Sequence, residues 1–400
     1  MTERKTPEHT SPSSQNLVAE LRRFANFSDL RHSGFYRAHK AELKHLLDDP
    51  RVYTPGGLKP RLRSFLRVVE WNIERGSRLD GIIEVLNSHP ALRFADLLLI
   101  NELDDGMLRS GNVNVALKLS RALETHAVFG VEYLELTKGV GAELSLEGEN
   151  MAALHGNAIL TRHEFSHPEI VRLPRCENNF ESREKRLGGR IGILVDLHIG
   201  DATLAIGNTH LDVVNSPRCR ASQLRAMLKA IEARTQDSNG AAIVGGDLNT
   251  HTFARGTRLE AMKNTVRVLT TNRPRLSRRL LNPALKEPAI REFARFGYET
   301  EGFNDRNSTS RGIVSNLDDP QDLPRPMKWW VKKRIGPQGL LLEFRLDWLA
   351  ARGLKALKAA EIVDEQTGVA SVDAQTFIGL THNGLPLSDH DPIVVDVAIP

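Results

Sequence analysis

The sequence predicts a mixed α/β fold, and two sheets packed face to face with helices outside suit its pattern. Two observations carry this. Short apolar runs of strand length alternate with stretches whose apolar residues recur at helical spacing. In the later part the strands follow one another closely, as antiparallel pairing requires. The elements follow in order. Leu17, Leu21 and Phe24, then Leu43, Leu46 and Leu47, fall at helical spacing, and Ser33-Gly34 separates two helices. Pro50, Pro55-Gly56-Gly57 and Pro60 break the pattern. Residues 1–15 are expected as a disordered tail, 16–63 as a helical extension and linker, and 64–400 as the main domain. Within it, 65–71, 95–100, 157–161, 191–197, 203–208, 241–244, 346–350 and 393–397 read as strands. Residues 79–86, 113–123 and 222–233 read as helices.

Composition sets the outer limits. A chain of 400 residues, 40% hydrophobic and 26% charged, has ample material for a globular core. No run approaches the roughly 18 apolar residues of a membrane span. Met1–Gln15 is polar and lacks the apolar stretch of a secretory signal. Cys176 and Cys219 have no CxxC spacing and are expected as reduced thiols, with a disulfide or a metal role as the alternatives; together with the foregoing this points to the cytoplasm. Charge is uneven. Between Arg258 and Arg345, 18 Lys and Arg face 10 Asp and Glu, a balance of +8, while the remainder balances at −4. Such a basic block, an insertion at about 258–345, points to an anionic partner; a solvated basic face is the alternative.

Polar residues collect at the ends of the apolar strands. Asn72 follows Val68–Trp71, Asn101-Glu102 follows Leu97–Ile100, and Thr209-His210 follows Leu204–Asn208. Asp247 and Asn249 follow Ile243–Gly246, Asp347 sits in LDWL, and Asp389-His390 precede the last strand. Six such places can converge on one edge of a sheet sandwich. Carboxylates and amides offer the oxygens that Mg²⁺ prefers, and histidines move protons or balance phosphate charge.

WNI at Trp71–Ile73, NE at Asn101–Glu102, NTHL at Asn208–Leu211, GGDLNT at Gly245–Thr250, LDWL at Leu346–Leu349 and SDHDP at Ser388–Pro392 occur in this order. Together they resemble the motif series of the endonuclease/exonuclease/phosphatase (DNase I-like) superfamily. The resemblance implies a four-layer α/β/β/α sandwich, here with a helical N-terminal extension, and a metal-dependent phosphoesterase. It implies that Glu102 is the principal Mg²⁺ ligand with Asn72 beside it, and that Asp389 binds metal or positions water; Mn²⁺ is an alternative ion. Asp247 would orient or deprotonate the attacking water, and Asn249 would hold that water or a phosphate oxygen. His390, its ring oriented by Asp347, would contact the scissile phosphate, and His210 would donate to a phosphate oxygen or the leaving group. Further candidates each have a plainer reading. Arg190 touches phosphate or is a surface arginine. Asn157 lines the site or caps a turn. Glu74 reaches a metal through water or stays outside. Asp104 and Asp105 read as a solvated turn, Asp212 and Asp391 as locally bonded carboxylates, His155 and His251 as loop histidines.

The motif variants narrow the substrate. His210 stands where the abasic-site endonuclease branch has Tyr or Asn, so NTHL leans towards the branch of DNase I-like nucleases, sphingomyelinases, deadenylases and inositol phosphatases. GGDLNTHT and FRLDWL depart from the inositol 5-phosphatase pattern, and the apolar anchor of a membrane-bound sphingomyelinase is not visible. Trp329-Trp330 beside Lys332-Lys333-Arg334 would bind a nucleic-acid backbone and its bases, dock on an anionic membrane surface, or pack in the core. Asn304–Pro326 reads as a mobile loop at the site mouth. The expected activity is hydrolysis of a phosphodiester in nucleic acid or a nucleotide. A phospholipid or inositol-phosphate hydrolase, or an inactive binding module, is the alternative. The sequence leaves the oligomeric state open.

Overall fold

The structure, a computed structural model, describes residues 12–56, 58–176, 178–236, 240–253, 258–313, 324–335 and 340–400. Three helices come first: α1 (Pro12–Arg22), α2 (Phe27–His32) and α3 (Gly34–Asp48). Then follow β1 (Arg51–Tyr53), β2 (Phe65–Asn72), α4 (Leu79–Ser88), β3 (Leu97–Asp105), α5 (Val115–Leu123), β4 (His126–Glu135) and β5 (Leu154–Thr161). The next part holds β6 (Phe165–Arg172), β7 (Arg186–Gly188), β8 (Ile191–Ile199), β9 (Ala202–Thr209), α6 (Pro217–Arg234) and β10 (Ala242–Asp247). The basic segment contributes α7 (Arg258–Thr270), α8 (Arg273–Leu281), α9 (Pro288–Arg295), β11 (Ser310–Ile313), α10 (Arg325–Ile335) and β12 (Leu341–Phe344). The chain ends with β13 (Asp347–Arg352), β14 (Gln375–Thr376), the hairpin of β15 (Thr381–His382) and β16 (Leu385–Pro386), and β17 (Ile393–Ala398).

Among the described residues two mixed sheets dominate. One has eight strands in the order β1-β4-β5-β3-β2-β17-β14, with β7 beside β4; the other has five, in the order β13-β10-β9-β8-β6. β2 and β3 run parallel, as do β9 and β10, so two pairs of strand ends open side by side. The inner faces interdigitate: Leu66, Val68, Leu97, Leu99, Ile393 and Val395 of one sheet meet Ile193, Val195, Ile206, Ile243 and Leu349 of the other. α4, α5 and the N-terminal helices cover the outer face of the first sheet, and α6 and α9 that of the second. The layers are therefore α/β/β/α. β2 is buried along its whole length, which its apolar run FLRVV allows. The exception, Arg67, lies opposite Asp396 of β17 and makes two bonds to its carboxylate, at 2.7 and 2.6 Å. A buried charge held this way has its partner built into the strand register.

Several expectations are corrected. The tail expected over 1–15 lies outside the described residues as far as residue 11, and from Pro12 the chain is helical. The linker contains β1, which pairs with β4. β4 and β6 escape the pattern because His126, Glu132, Glu135, His167 and Glu169 interrupt their apolar runs. The proposed loop Asn304–Pro326 includes residues 314–323, which lie outside the described ones; its first part is fixed. There Arg345 Nη1 donates to Asp305 at 2.6 Å, and Asn304 Nδ2 donates to the Leu349 carbonyl at 2.7 Å. Cys176 and Cys219 form a disulfide, because the segment after β6 lies against the first turn of α6, with the Cα atoms 6.2 Å apart. That pairing removes the cysteine argument for the cytoplasm. Among the described residues no helix is long and apolar enough to cross a membrane.

Candidate active site

Four strand ends and the segment before β17 bring the candidate residues together. β3 carries a bulge: Ile100 faces Ala158 and Leu103 faces Gly156, so Asn101 and Glu102 share one partner position. Glu102 takes φ 57°, which turns its carboxylate towards Asn72 at the end of parallel β2. Asn157 holds the bulge: its Oδ1 accepts from the Glu102 N–H at 3.2 Å and from Asn101 Nδ2 at 3.1 Å. Asn101 in turn accepts the Asp247 N–H at 2.8 Å, tying the first sheet to β10 of the second. Asn208 completes this floor by donating to the carbonyls of Ile100 and Ala158, each at 2.9 Å. Asn101 and Asn208 organise this floor from within the NE and NTHL motifs, a role that their residue types alone do not signal.

Gly246, the last residue but one of β10, takes φ 136°, and a Cβ there would lie 1.8 Å from the Thr209 carbonyl oxygen. Only glycine lets β10 approach β9 so closely. Asp247 Oδ1 accepts the Asn249 N–H at 2.9 Å, and Asn249 sits in the left-handed region at φ 50°. Asn72 Nδ2 bridges Asp247 Oδ2 at 3.1 Å and Glu102 Oε1 at 3.2 Å. His390 Nδ1 donates to both oxygens of Asp347, at 2.8 and 3.0 Å, and its Nε2 lies 3.8 Å from Asp247 Oδ2. His210 Nε2 lies 3.5 Å from the same Asp247 oxygen. Thr309, a residue without a sequence signal, accepts through Oγ1 the N–H groups of Leu346 and Asp347 at 3.0 and 3.1 Å. Its carbonyl accepts the Asp391 N–H at 2.7 Å, so it joins both arms of the dyad. Ser388 anchors the neighbouring loop by donating to the Asn72 carbonyl at 2.7 Å.

The electrostatics separate the two histidines. Burial opposes charge on His390, but Asp347, Asp247 and Asp389 outweigh it and hold the ring well above the usual histidine range. Burial, with Arg190 and His155 nearby, pushes His210 well below that range, so it is neutral. Burial and the Asp347 charge push Asp247 up to about 7. Glu102 is held below its ordinary value because His155, Arg75 and the Asn72 hydrogen bond outweigh its burial. Asp389 and Glu74 are both raised, by burial and then by their carboxylate neighbours: Asp389 by Glu102, and Glu74 by Asp389. Glu74, Glu102 and Asp389 thus repel one another around Asn72, a repulsion that a divalent cation would relieve, and oxygen donors of this kind fit Mg²⁺ or Mn²⁺. Glu74, Glu102 and Asp389 stand further apart, and among the described residues Asp247, Asp347 and His390 are the acids and histidine that lie close enough together to hold an ion. We read them as a hydrogen-bonded His–carboxylate group instead, since His390 Nδ1 is already engaged by Asp347.

Other candidates fall elsewhere. Arg190 is buried and its Nη1 donates to Glu132 at 2.8 Å, so it is no surface arginine. Asp104 and His155 are not a solvated turn and a loop histidine. β3 and β5 continue past the bulge and bury both, with His155 Nδ1 2.8 Å from Asp104. Burial would raise Asp104, but Arg109 and His155 outweigh it and bring it down to about 2. Asp105 is buried as well and accepts from Arg51 at 2.7 Å. Asp212 accepts the Val214 and Asn215 N–H groups, at 2.9 and 2.7 Å. Asp391 accepts the Gly379 N–H at 2.6 Å, and His251 Nε2 bonds the Val213 carbonyl at 2.7 Å.

Glu70 is the unexpected neighbour. It is fully buried two residues before Asn72, and neither carboxylate oxygen has a hydrogen-bond partner among the described residues. Burial, then Asp347 and Asp247, raise its pKa well above the ordinary value. A raised carboxyl costs stability as pH climbs from the unfolded value through the folded one, and costs nothing below the unfolded value. Glu70→Gln will therefore raise the metal-free melting temperature at pH 8 and change it little at pH 4. An equal effect at both pH values would show that ionisation of Glu70 is not the cause.

The model of the Endonuclease/Exonuclease/phosphatase family matches residues 69–318, more than half of the chain. The chain belongs to this family. The matched region contains Asn72, Glu102, Asn157, Arg190, His210, Asp247 and Asn249, while Asp347, Asp389 and His390 lie beyond it and join the site through the fold. Family members are hydrolases of phosphoesters. Solved structures similar to this family member include an endonuclease/exonuclease/phosphatase from Beutenbergia cavernae DSM 12333, 16% identical, with a TM-score of 0.47 over 84% of this chain and 72% of that one. The human Nocturnin catalytic domain with bound sulfate is 16% identical, with a TM-score of 0.45 over 88% of this chain and 97% of that one. A family protein from Leptotrichia buccalis C-1013-b is 13% identical, with a TM-score of 0.46 over 84% of this chain and 100% of that one. No curated protein matches the sequence.

Proposed function

We propose that this chain is a Mg²⁺-dependent phosphodiester hydrolase acting on nucleic acid or a nucleotide, with Mn²⁺ as an alternative ion. The observation that carries the reading is the His390–Asp347 pair at 2.8 Å facing Asp247, beside the oxygen set of Asn72, Glu102 and Asp389. Asn72, Glu102 and Asp389 would hold the ion. When bound, it supplies positive charge to a phosphoryl oxygen and offsets the repulsion between an anionic diester and its nucleophile. Asp247 accepts the proton of the attacking water. Asn249 Nδ2 is occupied by the Leu211 carbonyl at 3.0 Å, which leaves Oδ1 to hold that water. The cationic His390 contacts the scissile phosphate. Neutral His210, whose Nδ1 has no partner among the described residues, donates to a phosphate oxygen or the leaving group. Asn157 Nδ2 is likewise buried without a partner, so it can bind phosphate while Oδ1 holds the bulge. Arg190 adds positive charge behind His210.

A second reading, a phospholipid or inositol-phosphate hydrolase, draws on one observation: Trp329 and Leu341 of the basic segment are 65% and 59% exposed. Hydrolysis of plasmid DNA, single-stranded DNA, RNA, sphingomyelin, phosphoinositides and bis-p-nitrophenyl phosphate, each with Mg²⁺, Mn²⁺ or EDTA, separates the two. Metal-dependent cleavage of a nucleic acid, absent in Asp247→Ala, is the expected result. Cleavage of a lipid alone selects the second reading, and silence across the panel leaves a binding module.

A further inference from the structure

We propose that α7, α8 and α10 form a docking surface for an anionic lipid bilayer. Together these helices carry twelve Lys and Arg against a single acidic residue, Glu260. Six of the twelve are free of ion pairs on the described surface. Lys263, Arg267, Arg273, Arg275, Arg278 and Lys333 are exposed, and none pairs with a carboxylate among the described residues. Arg267 instead crowds Arg279, which burial and that neighbouring charge push below its ordinary pKa. A surface of this kind calls for an anionic partner.

Its apolar groups say which partner. On α7, Leu259, Lys263 and Val266 fall at i, i+4 and i+7, so they share one face; Leu259 is 58% and Val266 43% exposed. On α10, Trp329 and Lys333 fall at i and i+4, with the ammonium 5.1 Å from the indole ring. α8 buries Leu276 and Leu280 and turns Arg273, Arg275 and Arg278 outward. Leu341 of β12 is exposed, next to Leu342, which shares a small core with Leu276 and Leu280 of α8. Aliphatic groups among cations add nothing to binding a phosphate–sugar backbone, where stacking aromatics do the apolar part. They fit a bilayer interface, where headgroups meet the cations and the acyl boundary takes Leu, Val and Trp. A groove of ≈610 Å³, lined by Val268, Leu276, Leu280, Leu340 and Leu342, opens between α7, α8 and β12 and is sized for an acyl chain.

The surface is fastened next to the candidate active site. Arg279 of α8 donates to Thr252 Oγ1 and O, at 2.7 and 2.9 Å, three residues after Asn249. Ser310 of β11 bridges to His390. Docking would hold the site close to the bilayer whichever ester it cuts, so the inference does not depend on the substrate.

The test is co-sedimentation of the full chain carrying Asp247→Ala, which removes turnover, with phosphatidylcholine vesicles with and without phosphatidylserine. Binding is expected only with phosphatidylserine and weakens as salt rises. At about 1 kcal/mol per surface cation, Arg273→Glu, Arg275→Glu and Arg278→Glu together will weaken it by at least about a hundredfold. Trp329→Ala will weaken it and remove a blue shift in tryptophan emission on binding. Circular dichroism of each variant confirms that the fold is kept. Equal binding to neutral vesicles, no binding to either kind, or an unchanged affinity in the charge-reversed variant overturns the proposal. Salt-sensitive retention of an oligonucleotide without vesicle binding overturns it in favour of nucleic acid.

Discussion

His390→Ala will lower kcat by about three orders of magnitude, and Asp347→Asn added to it will cost little more. The two oxygens of Asp347 both accept from His390 Nδ1, at 2.8 and 3.0 Å, so the carboxylate holds the ring's orientation and aims Nε2 towards Asp247. An asparagine at 347 keeps the shape but loses the charge, and its amide group can present a donor where the ring also donates. Alone, Asp347→Asn should therefore cost about 10²-fold or more, mostly in kcat. It has a second signature. Burial works against the His390 cation, and Asp347 is the strongest charge opposing that effect. With Asp347 neutralised the ring gives up its proton at lower pH, so the alkaline limb of the kcat/KM profile moves to lower pH. The acid limb, set by Asp247 at about 7, should move to lower pH as well, because Asp347 is the main charge raising that group. Simple addition of the two single effects in the double variant would show that the residues act independently. An unmoved alkaline limb would show that His390 does not work as a cation.

Much of this site was legible because its residues sit at the ends of apolar strands. Leu97–Ile100 and Ile243–Gly246 announce buried strands by composition alone, and the polar residues after them stand out against that background. What composition cannot give is register. The bulge that turns Glu102 depends on how β3 pairs with β5, and that pairing fixes Asn157 opposite the bulge. A period-2 pattern places side chains on faces but does not reveal a slipped partner. The same limit hid Asp104 and His155. Two carboxylates before a glycine read as a turn, yet β3 runs on through Asp105 and buries them against Arg109 and Arg51. β4 escaped because it buries Glu132 and Glu135, charges whose partners Arg190 and Arg186 come from fifty or more residues later. The disulfide was illegible for a related reason: 43 residues separate Cys176 and Cys219, and only the packing of α6 brings them together.

Glu102→Gln will raise the Mg²⁺ concentration needed for half-maximal activity by about 10²-fold, and turnover at saturating metal will fall too. A glutamine keeps the size and one oxygen but removes the charge, and charge is what a hard cation draws from its principal carboxylate. The geometry around Glu102 sharpens the test. Its φ of 57° is costly for a non-glycine residue, and the bond from its N–H to Asn157 Oδ1 at 3.2 Å is what the surroundings offer in return. Asn157→Leu removes that acceptor without touching the carboxylate. It should weaken metal activation in the same direction but less, by about 10-fold, as loss of an outer partner usually does. Direct titration of Mn²⁺ into the metal-free protein separates the roles without an assay of turnover. Weakened Mn²⁺ binding in both variants makes Asn157 a positioning residue for the metal carboxylate. Normal Mn²⁺ binding in Asn157→Leu with a raised KM assigns Asn157 to the phosphate through its unpartnered Nδ2. Unchanged metal binding in Glu102→Gln would move the ion away from the strand ends of the first sheet, towards the Asp247–Asp347–His390 group, and the proton-transfer roles given to that group would go with it.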